Sequence, residues 1–409
     1  MQFDDIIDKY RSESYSERDK GTRFEELMAR YFMTDPTYAS VLEWTVTWSD
    51  FFGRKELGGK DTGIDLVAKT KTGEYWAIQC KCYAEDHRVS KGDMDTFIST
   101  SGRKFHDEDG EETAFSNRIV VATTDNWGEN AIEGTTGQTI PVTIIGLTML
   151  NEAPVVWEEI EEGVHGSKAR KEKYKLRPHQ QEAVDKAMEH YRTDDRGKMI
   201  MACGTGKTFT SLKVMEALLN ERTNKEKQGC VLFLAPSIAL VGQTLREWMA
   251  NAEIGITPIC VCSDPSVSKK RIENDDATER VEELGAPATT DAGRILFNYQ
   301  KAPNTVVIFS TYQSIDAVIA AQKAGVPEFD LIVCDEAHRT TGVILSAEDE
   351  STFTKVHNNA IIKAKKRLYM TATPRLYGVK GKEDAQKASV VLCSMDDETL
   401  YGKEFYNIS

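Results

Sequence analysis

The chain has 409 residues, enough for about two or three domains. Its hydrophobic residues (40%) can build sizeable cores, and its charged residues (28%) suit a globular surface that faces water. A net charge of −14 excludes a generally basic protein that coats nucleic acid, but not a local basic groove.

In chain order, the N-terminus Met1-Gln2-Phe3-Asp4-Asp5 is acidic and lacks the apolar stretch of a signal peptide. Phe24, Leu27, Met28 and Tyr31 recur with helical spacing and predict a helix over 22–32. Residues 64–68 and 75–82 read as strands around the turn Lys71-Thr72-Gly73, and 117–122 and 141–145 are further β-rich runs. The stretch 158–175 is charged, an acidic run followed by Lys168, Arg170, Lys171, Lys173 and Lys175, and reads as a linker or as a solvated helix.

From 176 onward the pattern is strand, glycine loop, helix, repeated. Strands are expected at 198–202, 231–234, 305–309, 331–334 and 367–370, with a helix over 209–219. Short apolar strands alternating with helices imply a parallel sheet covered on both faces. Residues 264–283 read as a charged helical surface insertion. The longest apolar run, 231–241, is interrupted by Pro236, and none approaches the ~20 residues of a membrane helix. Of the eight cysteines, Cys80/Cys82 and Cys260/Cys262 form C-x-C pairs without the matching pairs of a zinc site. Cysteines within apolar runs, such as Cys230 and Cys334, read as buried thiols of a reducing cytoplasm.

Two segments carry chemistry. Cys203-Gly204-Thr205-Gly206-Lys207-Thr208 lies between a predicted strand and helix, the setting of a phosphate loop. Backbone N–H groups from Gly204 to Thr208 can cradle phosphates at the helix N-terminus. Lys207 would neutralise the β- and γ-phosphates of ATP, and Thr208 would ligate Mg²⁺. The strand 331–334 delivers Asp335 and Glu336 to its carboxyl end, where open α/β sheets bind ligands. Asp335 would hold Mg²⁺ through water, Glu336 would polarise the attacking water, and His338 reads as a sensor.

The other segment is Gly63-Ile64-Asp65 followed by Gln79-Cys80-Lys81. A hairpin centred on Thr72 sets Asp65 opposite Gln79, so alternation puts Asp65, Gln79 and Lys81 on one face and Cys80 and Cys82 on the other. Asp65 and Gln79 can hold a hard cation such as Mg²⁺ through oxygen, and Lys81 can offset charge on an attacked phosphate. The competing reading is an ordinary amphipathic hairpin with one buried glutamine. Glu25 reads equally as a third acid of this site or as the partner of Thr22 in a capping box, with Glu26 as a further candidate. Asp61 reads as part of a polar loop.

These residues carry family resemblances. The phosphate loop, in which Met201 replaces the first glycine of the general pattern, and Asp335-Glu336-Ala337-His338 resemble superfamily 2 helicases of the DEAH type. Arg177 and Gln180, within Leu176-Arg177-Pro178-His179-Gln180, resemble the adenine-reading motif. Ala235-Pro236-Ser237 resembles motif Ia, and Ser310-Thr311-Tyr312-Gln313 resembles the later motif of the same lobe that meets the DNA backbone. Thr371 and Thr373, in Thr371-Ala372-Thr373-Pro374, resemble the motif that couples hydrolysis to movement. The stretch from Gly21 to about Leu150, including Val120-Val121-Ala122-Thr123-Thr124, resembles Mrr-type PD-(D/E)xK nucleases in which glutamine replaces an acid.

The order nuclease then motor resembles Type ISP restriction–modification enzymes. The resemblance implies an α/β chain, a restriction-endonuclease-like mixed sheet followed by a RecA-like parallel-sheet lobe, and use of ATP and Mg²⁺ to translocate on double-stranded DNA and cleave it. The expected layout is a nuclease at 1–157, a linker at 158–175, a first motor lobe at 176–380, and 381–409 as the start of a connection to a second lobe. The residues after Arg375 are too few for that lobe, so the chain reads as part of a longer polypeptide. The rest would hold the second lobe, an S-adenosylmethionine-dependent methyltransferase and target-recognition parts. A stand-alone repair or defence helicase–nuclease, or a remodeller with an inactive nuclease-like clamp, are the alternatives.

Overall fold

Two amphipathic helices open the chain and decide which face of the first sheet is covered. Phe3–Glu13 aligns Phe3, Ile6, Ile7 and Tyr10 on one stripe. Glu17–Phe32 begins where the Ser16 hydroxyl accepts the Asp19 N–H, and buries Phe24, Leu27, Met28 and Tyr31. The computed structural model describes residues 2–59, 62–222, 229–263, 280–344, 352–377 and 391–408. Asp61 lies outside them, as do residues 264–279 of the expected insertion. The described residues form two compact units, Met1–Glu172 with Arg280–Pro287, and Lys173–Glu279 with Ala288–Ser409.

The first unit holds β1 (Leu42–Thr47), β2 (Leu66–Thr70), β3 (Tyr75–Lys81), β4 (Lys104–His106), β5 (Glu112–Ala122) and β6 (Val142–Ile145). Their order is β1-β2-β3-β5-β4, with β6 also beside β5. The sheet is mixed: β1, β2 and β3 run antiparallel in succession, and β3, β5 and β6 run parallel. Side chains alternate between two apolar clusters. Trp76 and Ile78 join the opening helices, while Tyr75 and Ala77 join Phe51, Phe97 and Val120.

The stretch 158–175 does not behave as a linker throughout. Trp157, Ile160 and Ala169 are buried in the first core, Val156 N–H donates to the Ala169 carbonyl at 2.8 Å, and Arg170 Nε donates to the Thr34 carbonyl at 2.7 Å. A short apolar stripe, Trp157 and Ile160, was masked in the sequence by the charges around it. The break between units falls after Glu172. Of the expected insertion, residues 280–283 belong with 284–287 to the first unit, where Leu284 and Ala286 are buried and the Tyr38 hydroxyl donates to the Gly285 carbonyl at 2.5 Å.

The second unit contains β7 (Arg196–Met201), β8 (Cys230–Ala235), β9 (Ile256–Val261), β10 (Thr305–Thr311), β11 (Leu331–Cys334), β12 (Gly342–Ile344), β13 (Arg367–Thr371), β14 (Val391–Cys393) and β15 (Lys403–Ile408). Seven of them form a sheet in the order β15-β7-β13-β11-β8-β10-β9, and every pairing in it is parallel. β12 and β14 form a separate antiparallel pair. Because β13 lies between β7 and β11, the ends of these three strands converge on one edge. Residues 403–408, expected within a connection leaving the lobe, instead return to it as the edge strand β15 beside β7. No helix among the described residues is long and apolar enough to cross a membrane.

The return of β15 depends on one turn. Gly402 has φ +73° and ψ −176°, a region open essentially to glycine alone. An added Cβ there would stand 2.1 Å from the Arg196 carbonyl oxygen. Gly402→Ala should therefore cost about 2–4 kcal/mol. Gly137→Ala, at φ +69° with nothing near its Cβ, should cost about 1 kcal/mol. Denaturant titration of the two variants measures the difference, and equal losses would contradict it.

Candidate active sites

The hairpin register places the residues of the first site. Leu66 pairs with Ile78 and Lys69 with Tyr75, and Asp65 N–H donates to the Ile78 carbonyl at 2.9 Å. Asp65 thus stands opposite Gln79. Cys80 N–H donates to Asp65 Oδ2 at 2.7 Å and anchors the carboxylate. Cys80 and Cys82 pack on the opposite face, against the helical core. Burial raises the Asp65 carboxyl to about 6, against the lowering effect of the Cys80 N–H and of Lys81.

Gln79 is 1% exposed. Its Nε2 donates to the Gly63 carbonyl at 3.1 Å, which orients the amide, and its Oε1 is buried without a hydrogen-bond partner. An orphaned buried oxygen beside a dehydrated carboxylate is a donor pair for a hard cation. Gly63 permits this approach: its φ is +70°, and a Cβ would meet Phe97 N at 2.9 Å and Gln79 Nε2 at 3.2 Å. Glu25 lies within the field of Asp65. Its carboxyl rises to about 7, first through burial and then through the negative charge of Asp65. The capping-box reading fails, because the helix is capped at Ser16 and Thr22 lies inside it, its hydroxyl donating to the Arg18 carbonyl at 3.1 Å. Glu26 is exposed. Among the described residues no group of three or more His, Cys, Asp or Glu side chains is set to hold a metal.

In the second unit, β7 runs into the loop whose Gly204 (φ +78°) and Gly206 (φ +84°) turn the chain into the helix Lys207–Asn220. From the end of β11, Asp335 is 7% exposed, and burial together with the charge of Glu336 raises its carboxyl to about 6. Among the described residues Glu336 is the one non-glycine at positive φ, +45°, a strain of the kind that collects at functional sites. Lys207 Nζ lies 3.5 Å from Glu336 Oε1. Thr371, at the end of β13, places its hydroxyl 3.4 Å from Glu336 Oε2 and 3.0 Å from His338 Nδ1, and it accepts the Thr373 N–H at 3.2 Å. Burial lowers the His338 pKa. Lys207, Glu336, His338, Thr371 and Thr373 thus form one connected group.

Gln180 is buried, its Nε2 donating to the Thr205 carbonyl at 3.3 Å, and Arg177 N–H donates to Gln180 Oε1 at 2.9 Å. The Trp248 indole donates to the Thr208 carbonyl at 3.0 Å. In the motif 310–313, Ser310, Thr311 and Tyr312 are buried, and the Tyr312 hydroxyl donates to the Asp335 carbonyl at 2.8 Å. Only Gln313 of the four is exposed. Sequence reasoning also passed over His179, whose Nε2 lies 3.1 Å from the Thr205 carbonyl. Its place next to Gln180 was the only signal available.

Fold and sites together define a DNA-acting enzyme that joins a nuclease domain to a helicase-type lobe. Residues 33–166 match the restriction endonuclease family Mrr_cat_2, and 173–376 match the family of the Type III restriction enzyme res subunit. The chain is similar over 100% of its length to the ATP-dependent Type ISP restriction–modification enzyme LlaBIII bound to DNA, at 35% identity and a TM-score of 0.77, and spans 25% of that chain. A nuclease-deletion mutant of the Type ISP enzyme LlaGI is 41% identical over 58% of this chain and 20% of its own, at a TM-score of 0.44. A probable helicase of African swine fever virus is 32% identical over 199 residues, 49% of this chain and 19% of the viral protein. This chain thus has the nuclease-plus-helicase arrangement of the Type ISP enzymes.

The raised Glu25 carboxyl makes a stability prediction. Its pKa moves from 4.5 to about 7 on folding, so the native state holds the proton more tightly. Stability is therefore greatest below the unfolded value and is lost as pH rises towards 7. With a metal chelator present, Glu25→Gln should stabilise the first unit by about 1–2 kcal/mol at pH 8 and leave it nearly unchanged at pH 4.5, given the partial exposure of the group. Denaturation midpoints at the two pH values test this, and a gain of the same size at both would refute it.

Proposed function

We propose that the chain is the nuclease and motor part of an ATP-dependent restriction endonuclease that translocates on double-stranded DNA and cleaves unmethylated foreign DNA in the cytoplasm. The observation that carries this reading is the orphaned Gln79 oxygen beside the Asp65 carboxylate, in the same chain as a phosphate loop linked through Lys207 to Glu336. Similarity to LlaBIII along the whole chain supports it. A second motor lobe, a methyltransferase using S-adenosylmethionine and a target-recognition region would complete the enzyme.

In the nuclease, Asp65 and the Gln79 oxygen would hold Mg²⁺, which when bound lowers the pKa of its water and offsets phosphate charge. Lys81, on the same strand face, orients the water and stabilises the charge that develops on the attacked phosphate. Glu25, with its carboxyl near 7, can hold or release a proton at neutral pH. In the motor, the N–H groups of Gly204 to Thr208 and the Lys207 ammonium receive the ATP phosphates, Thr208 and Asp335 would hold Mg²⁺, and Glu336 orients the attacking water. Lys207 would exchange its contact with Glu336 for the phosphates, freeing that carboxylate for the water. Thr371 and His338 both lie against Glu336 and so can relay the change to Thr373. Arg177 and Gln180 are assigned to the adenine side.

The assignment separates by mutation in the full-length enzyme. Asp65→Ala and Lys81→Ala should each lower Mg²⁺-dependent DNA cleavage by about 10²-fold or more while ATP turnover persists. Lys207→Ala should remove ATP hydrolysis and, with it, cleavage that depends on translocation. Cleavage by both nuclease variants at the wild-type rate, or undiminished DNA-stimulated phosphate release by Lys207→Ala, would overturn the corresponding half.

A further inference from the structure

We infer that His179 is a positioning residue for the phosphate loop: it fixes the peptide plane that presents the Gly206 N–H to a bound phosphate. The inference rests on reading the loop as a nucleotide site. It begins with one oxygen, the Thr205 carbonyl, which has two side-chain neighbours, His179 Nε2 at 3.1 Å and Gln180 Nε2 at 3.3 Å. A carbonyl can only accept, so the His179 ring carries its proton on Nε2 and donates.

The consequence follows from peptide planarity. In a trans peptide the C=O of one residue and the N–H of the next point in opposite directions. Holding the Thr205 oxygen towards the helix Pro178–His190 turns the Gly206 N–H away from that helix. This N–H has no hydrogen-bond partner among the described residues, and the free amides of the helix Lys207–Asn220 follow it directly. Glycine suits the approach, since Gly206 has φ +84° and a Cβ on it would displace the Gln180 amide, 2.3 Å away. Without the two donors, the peptide between Thr205 and Gly206 could rotate and withdraw a phosphate donor.

His179 is itself braced by the edge strand next to β7. The Tyr406 hydroxyl, on β15, donates to the His179 carbonyl at 2.8 Å. Ala202 N–H, where β7 enters the loop, donates to the Ile408 carbonyl at 2.9 Å, and the Thr205 hydroxyl returns to the Ala202 carbonyl at 2.6 Å. These bonds close a ring: β15 to His179, His179 to Thr205, Thr205 to Ala202, Ala202 back to β15. The loop is thus held at its middle and at its root by a strand far away in sequence.

The test is equilibrium binding of ADP and of AMP, with Mg²⁺, to the 409-residue chain, by displacement of a fluorescent ADP analogue. His179→Ala should weaken ADP binding by about five- to tenfold, the loss of one hydrogen bond, and leave AMP, which lacks the phosphate the loop receives, within about twofold. His179→Gln, which keeps a donor, should recover most of the ADP affinity. ADP binding by His179→Ala equal to wild type, or equal losses for ADP and AMP, would overturn the inference. Absence of ADP binding by the wild type, or binding unaffected by Lys207→Ala, would overturn the nucleotide-site reading and this inference with it. In the full-length enzyme, His179→Ala should raise the KM for ATP with little change in kcat, whereas a merely structural loss would lower the active fraction and therefore kcat.

Discussion

Both halves of this chain depend on the same interaction: a carboxylate held partly out of water at the end of a β-strand, anchored by a backbone N–H, with a lysine in its field. Asp65 has the Cys80 amide and Lys81, and Asp335 has the Glu336 amide and Lys207. In each case burial outweighs the favourable terms and lifts the carboxyl to about 6. Charge in such a place is destabilising until a cation shares it. Two carboxylates are thus held at a cost to the stability of the fold, a trade common at functional sites.

The two sheets supply this environment by different means. In the first unit an antiparallel hairpin does it, because direct cross-strand pairing sets Asp65 against Gln79 and pleating turns Cys80 and Cys82 away. In the second unit parallel order does it. The strand carrying Thr371 lies between the strand of the phosphate loop and the strand of Asp335 and Glu336, so three motifs distant in sequence meet at one edge. Thr371 then touches Glu336 and His338 at once.

Edge strands are where these sheets escape simple sequence rules. β1, β9 and β15 all lie at sheet edges, and none is a continuous apolar run. β9 contains Pro258, tolerable where one side needs no ladder bond. β15 reads Lys-Glu-Phe-Tyr-Asn-Ile and is largely accessible. Yet β15 holds Ala202, at the root of the glycine loop, through Ile408 and the His179 carbonyl through Tyr406, so a strand with little apolar signal has a direct bearing on that loop.

What the sequence determined by itself was local. The central strands were legible as short apolar runs, the phosphate loop by its glycines between strand and helix, and the Asp65–Gln79 pairing by symmetry about the turn at Thr72, because period-two alternation and turn position specify register over so short a hairpin. Tertiary structure decided what depends on distant contacts. It took Glu25 out of a helix cap and set it beside Asp65, because the cap lies at Ser16. It folded Trp157, Ile160 and Ala169 into the first core although charges surround them in sequence. It buried Tyr312 against the Asp335 carbonyl, and it brought 403–408 back to β7. Burial, partner choice and sheet order are properties of the packed chain, and no window of neighbouring residues contains them.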